Sequence, residues 1–133
     1  MKKLACFIMF ILIGCAGPSS QISRMDSSQL KSVPDQQLLR AIKSPSARNL
    51  TLLTEAKRRG WLTDREINLI NNEKIGIGMS EQALIYSWGK PHKINKSVGS
   101  YGTHKQYVYG CYSQYSRPTY VYVKNGSVTG WQN

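Results

Sequence analysis

No acidic residue follows Glu81. All seven carboxylates (Asp26, Asp35, Glu55, Asp64, Glu66, Glu73 and Glu81) precede residue 82, whereas Lys90, Lys93, Lys96, Lys105, Arg117 and Lys124 come after it. A catalytic carboxylate pair can therefore form only in the N-terminal part, where the acids read as helix caps and surface charge. Two histidines and three cysteines are few, and their spacing matches no zinc motif. His104 and Cys111 stand seven residues apart in one expected strand. That odd separation puts them on opposite faces, about 23 Å apart at about 3.3 Å per residue. They cannot act as nucleophile and base, and His92 has no orienting carboxylate near it in sequence. There is no G-x-S-x-G element, and no apolar run reaches the roughly 20 residues that span a bilayer. The expectation is a chain that is not an enzyme and takes no cofactor, metal or small-molecule substrate.

The N-terminus is informative. Lys2 and Lys3 precede an apolar run, Leu4–Ile13, of the length of a signal-peptide core. The run closes on Leu12-Ile13-Gly14-Cys15, which resembles a bacterial lipobox. The resemblance implies cleavage before Cys15, thioether lipidation of its sulfur and acylation of its new amine. Several acyl chains anchor stably where one is marginal. Ala16, where an Asp would retain a lipoprotein in the inner membrane, points to the outer membrane, with the chain facing the periplasm. Residues 16 to about 33 are rich in Ser, Gln and Pro and read as a flexible tether. The organisation expected is a signal peptide (1–14), a lipidated Cys15 with its tether (15–33), a helical segment (34–74) and an α+β domain (75–133). Once Cys6 leaves with the signal and Cys15 carries lipid, Cys111 has no internal partner. It reads as a small residue packed in a strand, with an intermolecular disulfide as the alternative.

The helical segment opens at Pro34, where a missing N–H is harmless, and Leu38, Leu39 and Ile42 form its apolar stripe. Pro45 ends that stretch. A second helix carries Leu52, Leu53 and Ala56, then Lys57, Arg58 and Arg59 in its last turn before Gly60. The basic cluster there complements the helix dipole. Thr63-Asp64-Arg65-Glu66 has the spacing of a capping box and starts a third helix bearing Ile67 and Ile70.

Gly76-Ile77-Gly78-Met79-Ser80-Glu81 matches the first two glycines of a dinucleotide-binding loop and fails at the third. Glu81 would place negative charge where a phosphate should sit. The glycines read instead as a tight passage into a helix capped by Ser80, running from Glu81 to Trp88 with Leu84, Ile85 and Trp88 inward. Gly89 ends that helix and Pro91 prevents its return.

Beyond Pro91 the hydrophobic period changes to two, and four strands follow: HKINKSV, THKQYVYGCY, TYVYV and SVTGWQ. Asn125-Gly126 is the strongest short hairpin signal. Short links imply an antiparallel sheet with the helices on one face. Seven of the eight tyrosines fall between residues 101 and 122. A valine face is expected on the helices and a tyrosine-rich face, with Tyr107, Tyr109, Tyr120 and Tyr122, in part exposed. That face reads either as a partner-binding platform or as cross-strand aromatic pairing that stabilises a small sheet. The net charge of +11 would in a cytoplasmic protein indicate nucleic acid. Behind a lipobox it points to an acidic envelope protein or anionic lipid, with Lys93, Lys96 and Lys105 as contacts, or to no more than a solvated basic surface.

Gly78-Met79-Ser80 opening a helix, Gly89-Lys90-Pro91 closing it, Tyr107-Val108-Tyr109 in a strand and Asn125-Gly126-Ser127-Val128 in a last hairpin keep the order and spacing of one known pattern. Residues 75–132, with the lipobox, resemble the SmpA/OmlA (BamE-like) family of small outer-membrane lipoproteins. The resemblance implies helices packed on a three- or four-stranded antiparallel sheet, at the inner face of the outer membrane. It also implies an accessory role in β-barrel assembly, with contacts to a partner lipoprotein and anionic phospholipid. The chain departs from the pattern in its long helical stretch 34–73, in Trp88 where an aliphatic residue is usual, and in Tyr107 where Trp is common. No partner-contact motif transfers residue by residue. The function expected is a non-enzymatic envelope accessory or binding module. The alternatives are an inhibitor or regulator of an envelope enzyme, and a structural spacer.

Overall fold

The computed structural model describes residues 18–44, 48–110 and 117–133; Cys15, Pro45, Cys111 and Tyr112 lie outside them. Along the described residues the chain passes through six helices and then four strands. This is the α+β order expected, with a four-stranded antiparallel sheet.

The N-terminal stretch corrects one expectation. Residues 18–33 carry two short helices, α1 (Pro18–Ile22) and α2 (Ser27–Leu30), in place of a tether. Ile22, Leu30 and Val33 are buried in the core. The polar composition that reads as a linker supplies helix caps. The Asp26 carboxylate accepts from the Ser28 N–H at 2.8 Å and the Gln29 N–H at 3.0 Å, and the Gln29 amide oxygen accepts from the Asp26 N–H at 3.1 Å. A few well-placed apolar residues then suffice to dock the segment. Two side chains pin it from outside. Asn49 Nδ2 donates to the Ser23 carbonyl at 2.7 Å, and Arg59 Nη2 donates to the Leu30 carbonyl at 2.8 Å.

Helices α3 (Asp35–Lys43), α4 (Leu50–Arg58) and α5 (Asp64–Asn71) follow the expected punctuation. Pro34 stands at the N-cap of α3, Asn49 caps α4, and Thr63 and Glu66 make the capping box of α5. Leu38, Ala41, Ile42, Leu52, Leu53, Ala56, Ile67 and Ile70 turn inward. The basic end of α4 does more than meet a dipole. Glu55, with only 4% of its surface exposed, accepts from Arg58 Nη2 at 2.7 Å and Arg59 Nε at 2.8 Å. Arg59 also reaches Asp35 and lies over the Trp61 ring.

Helix α6 (Glu81–Trp88) has the expected bounds, and its buried face is wider than the expected stripe. Ala83, Leu84, Tyr86 and Ser87 are buried, while Ile85 and Trp88 are partly buried and pack against the core. Tyr86 fills the core because α6 packs against both α5 and the sheet, and the stripe facing them includes the tyrosine. Gly89 ends the helix at φ 78°, a conformation that L side chains rarely adopt.

The strands β1 (Lys93–Gly99), β2 (Gly102–Tyr109), β3 (Thr119–Lys124) and β4 (Ser127–Gln132) form an antiparallel meander in chain order. Asn125 and Gly126 turn β3 into β4 with positive φ at both positions. The glycine passage proves to be more than a hinge. Gly78 N–H donates to the Val128 carbonyl at 2.7 Å, Val128 N–H to Met79 at 2.8 Å and Glu81 N–H to Gly126 at 2.8 Å. Ser80 bridges Ser127. The loop therefore pairs with the start of the free edge of β4, and φ +83° at Gly78 lets it turn there. One core extends from Ile22 to Val128, so the segments 34–74 and 75–133 are packed together.

Candidate functional site

Strand alternation and register define an outer sheet face, away from the helices. In β2 and β3 the pairs His104–Lys124, Gln106–Tyr122 and Val108–Tyr120 lie on it. From β1 come Lys93, Asn95 and Ser97, opposite Val108, Gln106 and His104. Tyr120 and Tyr122 are half-exposed, as expected. A polar row crosses three strands: Asn95 Nδ2 donates to Gln106 Oε1 at 2.9 Å, and Gln106 Nε2 donates to the Tyr122 hydroxyl at 3.4 Å. A shallow hollow of about 300 Å³ lies along this row, between Ser97, His104, Tyr122 and Thr129. Gly130 stands opposite Tyr122, and a methyl group there would meet nothing within 4 Å, so the face stays open at that point. Among the described residues no Asp or Glu side chain lies on this face.

The other expected contacts divide differently. Tyr107 and Tyr109 belong to the core, because Tyr107 pairs with Val121 and shares its inward face. Their hydroxyls are satisfied inside. Tyr107 donates to Glu81, and Tyr109 donates to the Gly89 carbonyl at 3.3 Å. The Tyr109 ring meets Trp88 edge-on at 5.4 Å. Burial pushes the Tyr109 phenol up to about 12. Burial, then the Glu81 carboxylate, pushes the Tyr107 phenol up further. Lys105 also faces inward, with its Nζ 2.6 Å from Glu81 Oε1. Both tyrosines are buried, and Lys105, partly exposed, has its ammonium engaged by Glu81. Lys93 and Lys96 are exposed, on opposite faces of β1.

Glu81 is the residue that sequence reasoning undervalued. It stands in the first turn of α6, and its carboxylate clasps the sheet through Lys105 and Tyr107. Burial pushes its carboxyl up, but the hydrogen bonds from Lys105 and Tyr107 and the charge of Lys105 outweigh that and hold it below the usual range. The signal was present: the last acid before a wholly basic half is the obvious counter-charge for that half. Glu66 was likewise read as a cap alone. It also accepts the Ser80 N–H at 2.8 Å, tying α5 to the start of α6.

A second hollow, of about 420 Å³, lies between Arg48, Glu73, Tyr86, Trp88 and Tyr109. Several of its polar groups are engaged by backbone carbonyls of the fold. Arg48 donates to the Tyr86 carbonyl, Trp88 Nε1 to Glu73 at 2.8 Å and Ser87 Oγ to Lys74 at 2.7 Å. Among the described residues no group of three His, Cys, Asp or Glu side chains gathers to hold a metal. No described helix is long and apolar enough to cross a membrane. What the outer face offers chemically is a cationic and aromatic surface with spare hydrogen-bond donors. Compared with protein-family models, with curated proteins and with solved structures, the chain gives no match.

Proposed function

We propose that the chain is a non-enzymatic lipoprotein, anchored through Cys15 at the periplasmic side of the outer membrane, whose sheet binds an acidic envelope protein. The observation that carries the binding part is the outer face itself. Lys93, His104 and Lys124 surround Tyr120 and Tyr122 there, and all the carboxylates lie elsewhere. Charge of one sign steers an opposite partner, and half-wet tyrosines provide adaptable contact area. The address rests on the lipobox, and the SmpA/OmlA resemblance supports an accessory role in outer-membrane assembly.

The test is capture of the tagged, lipidated protein from crosslinked cells, followed by mass spectrometry. Recovery of barrel-assembly subunits supports the assembly role, whereas a single hydrolase means a regulator of an envelope enzyme. In the purified complex, Lys124→Glu with Tyr122→Ala should weaken binding and flatten its salt dependence. Unchanged binding refutes the outer-face reading. Binding to vesicles of anionic phospholipid, with no protein captured, would replace the protein partner by a lipid surface.

A further inference from the structure

The two edges of the sheet are unlike. Gly78–Glu81 occupies the start of the β4 edge. Among the described residues the β1 edge has no strand beyond it, and every residue from Lys93 to Gly99 is exposed. An open edge presents a row of unpaired N–H and C=O groups. A lipid interior cannot satisfy them, but another extended chain can.

The side chains of β1 narrow the choice of that chain. The sheet residues of the core, Tyr107, Tyr109, Val121, Val123 and Val128, come from β2, β3 and β4, and β1 supplies none. The helix layer thus stops short of β1, and Ile94 (46% exposed) and Val98 (66% exposed) are left as an apolar ledge on the helix side. Lys96 stands between them and Lys93 on the opposite face. β1 carries no acid, and the nearby Glu81 is already engaged by Lys105 and Tyr107. A second copy of this chain is a poor occupant, because two β1 edges would bring four lysines together.

We propose that β1 receives an extended, acidic segment of a partner protein by strand addition, with apolar side chains over Ile94 and Val98 and carboxylates beside Lys93 and Lys96. This rests on the reading that the sheet meets an acidic envelope protein, and it names the form in which that partner binds.

The register specifies a probe. Read antiparallel to Lys93–Gly99, the peptide Thr-Val-Thr-Glu-Thr-Val-Glu sets valines against Val98 and Ile94 and glutamates against Lys96 and Lys93. Hydrogen–deuterium exchange is measured on the full-length protein in detergent micelles, with the peptide at up to about 1 mM, a range that captures weak strand addition. The expected result is exchange slowed about tenfold across residues 93–99, with the β3 and β4 segments unchanged. The same peptide with lysines for glutamates should have no effect. The double variant Lys93→Gln, Lys96→Gln, on exposed positions that leave the fold intact, should weaken peptide binding about tenfold. No slowing at the highest concentration overturns the proposal, as does slowing confined to the outer face or a concentration-dependent dimer through β1. Loss of the captured partner with Lys124→Glu and Tyr122→Ala, without β1 protection, would leave the outer-face reading standing and remove only the edge.

Discussion

Replacing Leu30 by alanine asks whether the N-terminal stretch is a working part of the core. Leu30 has no exposed surface, and it sits in a segment whose composition reads as a linker. The change removes three buried carbons, worth about 0.8 kcal/mol each in transfer. The cavity left behind adds to that, and leucine-to-alanine changes in cores cost roughly 2–5 kcal/mol. At the rim of the core some collapse is expected, so about 3 kcal/mol is a fair value. For a domain of this size that lowers the melting temperature by roughly 10–20 °C. The assay is thermal and urea unfolding of a soluble version starting at Ala16, beside the control Leu50→Ala. Leu50 is 61% exposed, and its loss should cost no more than about 0.5 kcal/mol. Should α1 and α2 detach on their own, the cost is capped at their local opening energy, and amide exchange would rise in residues 18–33 alone. If Leu30→Ala melts with Leu50→Ala and the exchange pattern is unchanged, the segment is a tether after all.

Glu81→Gln should cost about 1–2 kcal/mol by breaking the clasp on Lys105, and Tyr107→Phe about 1 kcal/mol; urea midpoints equal to the parent would refute the clasp. Acid should loosen the fold. The Arg58 hydrogen bond holds the Glu55 carboxyl down at about 2 against the cost of its burial, and Arg59 adds to this. Each folded value of Glu55, Glu66 and Glu81 lies below the unfolded one, so the unfolded chain takes up protons first. Their contribution is full above about pH 5 and is lost as pH falls through the folded values, that of Glu55 being about 2; a melting temperature that stays flat on acidification below about pH 5 would contradict it. Gly89→Ala should cost about 1–3 kcal/mol in thermal unfolding through its backbone alone, because φ 78°, ψ −164° is a conformation essentially confined to glycine and a methyl group there meets nothing within 4 Å. Cys15→Ala should abolish incorporation of labelled palmitate in cells; unchanged incorporation would dismiss the lipid anchor.

Most elements were legible because their signals are local. The capping box at Thr63 and Glu66, the Gly89–Pro91 stop and the Asn125–Gly126 turn each act within a few residues, and each fell where expected. What was not legible depends on pairing. Alternation shows that Tyr107 and Tyr109 share a face, but only the register against Val121 tells which face that is. Tyr120 and Tyr122 were placed correctly because their own strand alternates with valines. Lys105 follows Tyr107 inward for the same reason, so one of the three expected lysines is found on Glu81 once the strands are aligned. The α1–α2 segment was missed because serine, aspartate and glutamine serve caps as readily as linkers.

The loop Gly78–Glu81 along β4 also bears on how copies of a sheet add to one another. A sheet with two open edges behaves like a monomer with two reactive ends: each addition creates a new site, and copies can grow into a fibre. Here the chain has stoppered the start of one end with its own backbone. The open length of that edge is shortened to its far part, residues 129–132. On the β1 edge, Lys93 and Lys96 discourage pairing with a second copy, the step that would begin a polymer.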